Sequence, residues 1–316
     1  MKPFLTKVVL FLSLFALLTM AFDVLYLKLR MKNLYPELYH MDQLLEEKVD
    51  AILFGSSVNR HVDPEDIDTR SIGELVDSLV VKYEVGALSH KAYQLDMFAE
   101  YVEYISTQSH KPLLIVPINI RSFSPIWDLY PPFQFPFEKD LINDVNPFIR
   151  FVDLNKSRKR ETEYFKNIPV FHQEKVIGKL WEFAYPFSVM LDTRKGFIVR
   201  YMQPVQQENQ KLHSLERILS LSEKHDIPLI FYFTPVDYTK GESLEIPGFH
   251  EQLNDNLSLV KNVLDRYNVE SYDLSQAIDS THFSYTYIPT EHLNQKGRKY
   301  LSTFLSKKVS AKLSKN

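Results

Sequence analysis

Two residue types that together support nucleophilic catalysis, a serine and a histidine, lie near opposite ends of the chain. The apolar run from Ala51 to Phe54 stops at Gly55-Ser56-Ser57 and turns polar. A Gly-x-Ser turn after a buried strand would hold the Ser57 hydroxyl at the end of that strand, where the N-terminus of a following helix supplies backbone donors. Taken alone, Gly-Ser-Ser is more typical of an ordinary turn than of a nucleophile.

A histidine near the C-terminus favours the catalytic interpretation. His292 lies just before Asn294 and Gly297 in the stretch "EHLNQKG", ahead of an apolar periodic segment typical of a final helix. A histidine in the loop before that helix can reach back across the top of a sheet to a serine that follows the first strand. Its imidazole would then take the hydroxyl proton as the serine attacks.

The elements that would position these residues form an alternating series. Apolar runs typical of buried strands recur along the chain, at 51–55, 78–86, 112–119, 227–236 and, more briefly, 269–275. Segments with apolar residues at helical spacing also recur, at 41–49, 89–108, 207–225 and 249–267. Strands that alternate with helices predict an α/β fold, a three-layer α/β/α sandwich around a mostly parallel sheet.

The carboxyl ends of the predicted strands carry a recognisable set of residues. In parallel sheets the working site lies beyond these ends, which we place at Gly55-Ser56-Ser57, Gly86, Asn119 and Thr234-Pro235. The first three of these together with His292 resemble, in the same order, the sequence blocks of the SGNH (GDSL-like) hydrolase superfamily, in its membrane-anchored bacterial branch. The resemblance covers residues 50 to 310, approximately.

The resemblance implies a role for each matching residue. Ser57 would be the nucleophile and His292 the general base. The backbone N–H groups of Ser57 and Gly86, with the side-chain amide of Asn119, would form the oxyanion hole. Fixed donors at a developing oxyanion are worth about 3 to 4 kcal/mol each. The resemblance implies neither a cofactor nor a metal.

The chain departs from the family pattern next to the histidine. The family usually has an aspartate three residues before it, and here that position is Pro289, which cannot orient an imidazole. Three substitutes stay open: Glu291, the adjacent residue; Asp279, which has its own Asp-x-x-His spacing with His282; or a backbone carbonyl. Ser56 stands where an aspartate is frequent, but that side chain is not the nucleophile.

One long segment, 124–203, interrupts the alternation and predicts a helical insertion rich in aromatic residues. These aromatic side chains would either stack on a sugar or form a small core of the insertion: Trp127, Tyr130, Phe133 and Phe135. A basic cluster at 156–160 is more typical of a solvated face than of an anion site.

The N-terminus predicts a membrane anchor over residues 1–32, with the SGNH-like domain following over 33–316. Residues 8–27 are apolar except for Ser13, Thr19 and Asp23, and about 20 such residues span a bilayer as a helix. A cleaved signal peptide is the alternative, although Thr19-Met20-Ala21 is a poor cleavage site. We favour an uncleaved single-pass anchor in the cell membrane, with the bulk of the chain outside the cytoplasm.

The composition of the chain excludes several classes of function. The formal net charge of −3 creates no global field that would recruit nucleic acid, and the lack of cysteine excludes disulfides and thiolate catalysis. We therefore expect a membrane-anchored serine esterase or O-acyltransferase. Its substrate would carry acetyl or other short acyl esters on a cell-envelope or exported polysaccharide, and membrane-bound polysaccharide or acyl-donor machinery would be its partner. The alternative is a non-catalytic glycan-binding or assembly protein that retains the fold, which Pro289 favours.

Overall fold

A computed structural model describes residues 2–22, 32–33, 35–124, 127, 135–143, 193–285, 289 and 291–315. The chain forms two compact units. The smaller contains Met1–Glu46 and Pro136–Asn167, and the larger contains Glu47–Phe135 and Ile168–Asn316. The sheet and the candidate site belong to the larger unit.

The helices of the described residues are named here in chain order. They are α1 (Lys2–Phe22), α2 (Pro36–Glu47), α3 (Ser57–Arg60), α4 (Ile72–Leu79), α5 (Leu95–Ser106), α6 (Pro136–Asn143), α7 (Thr193–Tyr201), α8 (Gln210–His225), α9 (Tyr238–Ser243), α10 (Phe249–Arg266) and α11 (Gln295–Leu313). Two short 3₁₀ turns cover Ile120–Phe123 and Ser280–His282.

The predicted parallel α/β architecture is confirmed. Five strands form one sheet in the order β2-β1-β3-β4-β5, and every neighbouring pair is parallel. The strands are β1 (Ala51–Gly55), β2 (Val85–Ser89), β3 (Leu113–Ile118), β4 (Leu229–Phe233) and β5 (Ser271–Asp273). The strand order reverses direction between β1 and β3, which is where doubly wound folds place their ligand sites.

Helices pack on both faces of the sheet because β1, β3 and β4 are apolar on both sides. On one face, Leu53, Ile115 and Tyr232 form a buried cluster with side chains of α4 and α11. On the other face, Phe54 of β1 stacks on Phe98 of α5 with ring centroids 5.1 Å apart. Helix α5 packs in turn against α8. Burial on both faces explains why these strands lack the polar alternation of half-exposed strands.

The predicted strand at 78–86 is wrong in its position. Ser71 begins α4 with a capping box, in which Ser71 and Glu74 bond reciprocally, so the helix continues to Leu79. Strand β2 therefore starts only at Val85 and ends at Ser89, which is in register with Gly55. Gly86 pairs with Ile52, near the amino end of the strand, about 10 Å behind the carboxyl edge.

Several sequence predictions fall on residues that are only partly described. Helix α1 covers the first part of the predicted anchor, and 23–31 lie outside the described residues. Where the structure describes the chain, no helix has the length and hydropathy that crossing a membrane requires. Of the predicted insertion at 124–203, α6 and α7 are described, whereas Tyr130, Phe133 and the basic cluster at 156–160 are not.

A buried arginine ties the start of α11 to the loop between α3 and α4. Arg298 is fully buried, and its guanidinium donates to Asp66 Oδ2 at 2.6 Å and to the Arg70 carbonyl at 3.0 Å. The Gln295 backbone N–H donates to the same carboxylate at 3.0 Å. Although burial alone would raise the pKa of Asp66, these hydrogen bonds lower it. The loop that follows Ser57 is thus fixed to the helix that follows His292.

Replacing this arginine should destabilise the larger unit. We expect Arg298→Ala to lower the free energy of unfolding by about 3 to 5 kcal/mol, because it leaves the Asp66 carboxylate without its buried cation. Urea unfolding followed by circular dichroism measures the change. Lys299→Ala, at the adjacent exposed position, is the matched control and should leave the midpoint in place. Equal midpoints for the two variants would contradict this role of Arg298.

Candidate active site

Ser57 is the first residue of α3, directly beyond the carboxyl end of β1. Ser56 caps that short helix by accepting the Val58 N–H on its hydroxyl. Serine is among the residues that cap helices best. Gly55, the last residue of β1, allows Ser89 and Asn59 to pack closely against the backbone, because a Cβ there would lie 2.3 Å from Ser89 Oγ and 2.6 Å from Asn59 Cβ.

His292 lies on a loop that is anchored on both of its sides. Leu293 is fully buried in the core and forms an antiparallel bridge with Phe283. The His292 carbonyl accepts the Ser284 N–H at 2.9 Å. On the other side, Glu291 is buried and adopts a left-handed backbone conformation with φ of 59°. After this turn, the Glu291 side chain contacts Tyr201 and Thr234, and the His292 side chain contacts Ser57.

The structure brings the two predicted catalytic residues together. His292 Nε2 lies 3.1 Å from Ser57 Oγ, although the residues are 235 positions apart in the chain. This distance is within the range of a hydrogen bond between a nucleophile and its base. The contact forms at the point where the strand order reverses, between β1 and β3.

The environment of His292 keeps its imidazole neutral. Burial lowers the pKa of His292 to about 3, and the positive charge of Arg121 acts in the same direction, as would a proton on His61. Its second ring nitrogen, Nδ1, is buried without a hydrogen-bond partner among the described residues. A neutral ring can accept the Ser57 proton, but no described group stabilises the imidazolium through Nδ1.

Glu291, one of the predicted substitute acids, makes its contacts elsewhere. Its carboxylate accepts hydrogen bonds from Tyr201 Oη at 2.8 Å and Thr234 Oγ1 at 3.0 Å. Arg121 Nε lies 3.6 Å from the same carboxylate, and Arg121 also donates to the Pro289 carbonyl. Burial raises the pKa of Glu291, and these partners oppose the rise. Glu291 therefore anchors the loop that carries His292.

Asp279, the other predicted acid, pairs with a different histidine. Its carboxylate lies 3.0 Å from His282 Nδ1 and also accepts hydrogen bonds from the hydroxyl and backbone N–H of Thr281. The hydrogen bonds from Thr281, and then that of His282, lower the pKa of Asp279 to about 2. This pair is partly exposed and separate from the Ser57 contact.

Asn119 lies at the same edge of the sheet as Ser57. It directly follows β3, and extending the register in which Leu53 pairs with Ile115 brings Asn119 level with Ser57. The side chain is 2% exposed, and neither its oxygen nor its nitrogen has a hydrogen-bond partner among the described residues. A buried amide donor without a partner costs free energy unless a ligand or a reacting atom accepts from it.

The expected contribution of Gly86 to this site is wrong. Its place in the interior of β2, in register with Ile52, puts its backbone N–H behind the carboxyl edge. The residues that reach the edge on this strand are Ser89 and His90, and the His90 N–H donates to the Gly55 carbonyl at 3.3 Å.

The described aromatic residues of the predicted sugar cleft make contacts within the larger unit. Phe135 packs edge-on against His90 and Tyr93, with ring centroids 5.5 Å and 5.1 Å away. The Arg121 guanidinium lies over the Trp127 ring at 5.4 Å from its centroid. Phe135 therefore contributes to packing beside β2, and Trp127 lies near the cluster around Glu291.

The structure adds a residue that the sequence analysis missed. The His61 ring stacks on the His292 ring, with centroids 4.3 Å apart and planes inclined by 12°. One signal in the sequence could have indicated it. His61 follows Ser57 by four residues, and on a helix beginning at Ser57 that spacing places both on one face.

Comparisons with known proteins give only distant structural similarity. No protein-family profile matches the sequence, and no curated protein matches it. Among solved structures, the chain is similar to a lipase/acylhydrolase from Enterococcus faecalis, at 11% identity and a TM-score of 0.41, covering 83% of this chain and 95% of that one. It is also similar to an acetylxylan esterase from Geobacillus stearothermophilus, at 11% identity and a TM-score of 0.41, covering 83% and 94%. Similarity at this level leaves the chemistry to be inferred from the site.

The depressed pKa of His292 predicts a ring that stays neutral in mildly acidic solution. We expect its NMR signals to stay constant down to about pH 5, where an ordinary histidine is mostly protonated. Because the unfolded chain then binds a proton that the folded chain does not, the free energy of unfolding should fall as the pH drops below the ordinary value of 6.5. A His292→Gln variant assigns the signals.

A titration midpoint near 6.5 for His292 would contradict the burial of this ring. Asp279→Asn is the matched control, because its carboxylate contacts His282 and not His292. It should leave the His292 titration unchanged, whereas the partner carboxylate of an imidazole raises the pKa of that imidazole.

Proposed function

We propose that the chain is an SGNH-type serine esterase or O-acyltransferase in which Ser57 is the nucleophile and His292 the general base. The observation that carries the proposal is the 3.1 Å contact between His292 Nε2 and Ser57 Oγ at the carboxyl edge of a parallel sheet. A neutral, half-buried imidazole with an accepting nitrogen on a serine hydroxyl is the arrangement that nucleophilic catalysis requires.

The reaction proceeds in two steps. Ser57 Oγ attacks the acyl carbonyl carbon while its proton moves to His292 Nε2, which forms a tetrahedral intermediate. The intermediate collapses, the C–O bond to the alcohol breaks, and the proton passes from His292 to the leaving oxygen. Water or a second hydroxyl group then attacks the acyl-serine and gives its own proton to His292. The bond between the acyl carbon and Ser57 Oγ breaks, the proton passes from His292 to Ser57 Oγ, and the acid or the new ester is released. Attack by water makes the protein an esterase, and attack by a sugar hydroxyl makes it a transferase.

The negative charge of the tetrahedral intermediate needs donors that are in place beforehand. Asn119 Nδ2 supports such a role, because it is buried beside β3 with no described hydrogen-bond partner. The backbone N–H of Ser57, at the start of α3, would be the second donor. Gly86 is excluded from this role by its position in β2.

The reaction would run without a carboxylate on His292 Nδ1. In serine hydrolases that have such an acid, losing its charge lowers kcat by about four orders of magnitude. A buried imidazole of low pKa is also a weaker base than a charge-paired one. We therefore expect modest turnover, fastest for esters with good leaving groups.

The proposed substrate is an acetyl or other short acyl ester on a cell-envelope or exported polysaccharide. This part rests on the resemblance of the Ser57, Asn119 and His292 blocks to the SGNH superfamily. Membrane-bound polysaccharide or acyl-donor machinery would supply or receive the acyl group.

The proposed location is the outer side of the cell membrane, with the N-terminal segment as the attachment. The apolar composition of residues 8–27 supports it, as do the exposed apolar side chains of α1, which include Leu10, Phe11 and Phe15. Apolar surface left in water is costly, and lipid would cover it.

A specific observation favours one second function, a non-catalytic glycan-binding or assembly protein. The imidazole of His292 has no described carboxylate partner, and buried polar atoms of Asn119 and His61 have no hydrogen-bond partner among the described residues. A protein that has lost turnover would keep the fold but not a reactive serine.

Labelling with a fluorophosphonate separates the two functions. We expect the full chain to react covalently at Ser57, and Ser57→Ala to abolish the reaction. Asn119→Ala should slow it about a hundredfold, because one oxyanion donor is lost. Peptide mass spectrometry locates the label, and circular dichroism verifies folding. A folded wild-type protein without label at Ser57 would rule out the enzyme and favour the glycan-binding alternative.

A topology reporter tests the proposed location. Alkaline phosphatase fused after Asn316 should be active in cells, because it functions only outside the cytoplasm, and the fusion should sediment with membranes. Deleting residues 1–32 should release the fusion from the membrane fraction. A full-length fusion that is produced but has no phosphatase activity would contradict the location without affecting the proposed chemistry.

A further inference from the structure

Three aromatic rings enclose the base of the proposed dyad. The His61 and His292 rings are nearly parallel, with an interplanar angle of 12° and a centroid separation of 4.3 Å. Tyr285 lies beside both, with ring centroids 5.1 Å from His61 and 6.0 Å from His292. The stack covers one face of the imidazole whose edge contacts Ser57.

His61 arises from the same turn of chain as the nucleophile. It follows α3, and its backbone N–H donates to the Ser57 carbonyl at 2.9 Å. The loop beyond it is held at Asp66 by Arg298, which lies in α11 just after His292. The two stacked rings are therefore mounted on segments that are tied to each other, so the stack is part of a rigid frame.

Neither ring is oriented by the partner that a catalytic imidazole commonly has. His61 Nε2 and His292 Nδ1 are both buried with no hydrogen-bond partner among the described residues. The orientation of His292 is therefore set by its Ser57 contact, by its anchored loop and by the rings packed against it.

Burial, more than the neighbouring charges, favours the neutral form of His61. Burial lowers the pKa of His61, and Arg298 acts in the same direction against the carboxylates of Asp63 and Asp66. With His61 neutral, Arg121 is the charged side chain among the described residues that acts on His292. A neutral aromatic face attracts a cation placed over it, more strongly when both are desolvated.

We propose that His61 is a positioning residue whose ring face replaces the missing carboxylate: it fixes the orientation of His292 and stabilises the imidazolium that forms when His292 takes the Ser57 proton. The inference rests on the proposed function. His61 itself transfers no proton; the proton travels between Ser57 Oγ and His292 Nε2, and the charge that appears on His292 lies against the His61 face.

Two substitutions of His61 distinguish an effect of its ring face from an effect of its ring nitrogens. His61→Phe keeps an aromatic face of similar size, and His61→Ala removes it. On an activated acetyl ester, we expect His61→Phe to retain kcat within about threefold, and His61→Ala to lower kcat tenfold or more with little change in KM. Thermal unfolding verifies that both variants fold.

A second readout does not depend on turnover. By NMR, the pKa of His292 should be unchanged in His61→Phe and lower still in His61→Ala, because the aromatic face that stabilises the imidazolium is then absent. Equal kcat values and equal His292 titrations for wild type and His61→Ala would overturn the inference. Loss of kcat in His61→Phe equal to that in His61→Ala would also overturn it, since a nitrogen of His61 would then be the active group.

Failure of the proposed function is distinguishable from failure of this inference. If wild-type Ser57 does not react with the fluorophosphonate, the esterase or acyltransferase function fails. In that case the NMR comparison of His61→Phe with His61→Ala still tests the role of the stacked ring, because it reports whether an aromatic ring at position 61 controls the pKa of His292.

Discussion

A hydrogen bond between His292 Nε2 and Ser57 Oγ joins the two ends of the larger unit, and most of the surrounding structure holds these atoms 3.1 Å apart. Ser57 is placed just beyond Gly55, the last residue of β1, where only glycine fits because Ser89 and Asn59 pack closely against the backbone. His292 is placed by the buried neighbours Glu291 and Leu293. The Arg298–Asp66 pair then connects the two segments behind the site.

Burial has two opposite consequences at this site. It keeps the His292 imidazole neutral, so that Nε2 is free to accept a proton, but it also penalises the imidazolium that proton transfer creates. A carboxylate on Nδ1 usually offsets that penalty, and here the charged neighbour is instead Arg121, which adds to it. The stacked face of His61 is the described group best placed to reduce the penalty.

The acidic residue next to the histidine has a different use in this chain. Glu291 is oriented by its left-handed backbone into a buried set of partners, Arg121, Tyr201 and Thr234, from the ends of β3, α7 and β4. These contacts anchor the His292 loop at the carboxyl edge of the sheet. The Glu291 carboxylate therefore makes no hydrogen bond to the His292 imidazole. It fixes the position of His292 through the backbone that the two residues share.

Sequence patterns predicted the parts of the fold that depend on local burial. The strand at Ala51–Gly55 and the positions of Ser57 and Asn119 just beyond β1 and β3 followed from apolar runs that stop at polar residues. The position of Gly86 was predicted wrongly because the apolar stretch "SLVV" is compatible with the end of a helix as well as with a strand. The capping box at Ser71 favours the helix. The His61 stack and the partners of Glu291 could not be predicted, because they depend on side-chain directions set by contacts between distant segments.

The most direct measurement is the mass of the protein during reaction with an activated acetyl ester, quenched within the first turnovers. Acid quenching, intact mass spectrometry and peptide mapping should find one acetyl group, on Ser57, and none in the Ser57→Ala variant. His292→Ala, with the base removed, should form this acetyl-serine at least a thousandfold more slowly. Acetylation at any other residue, or at the same rate in His292→Ala, would contradict the account.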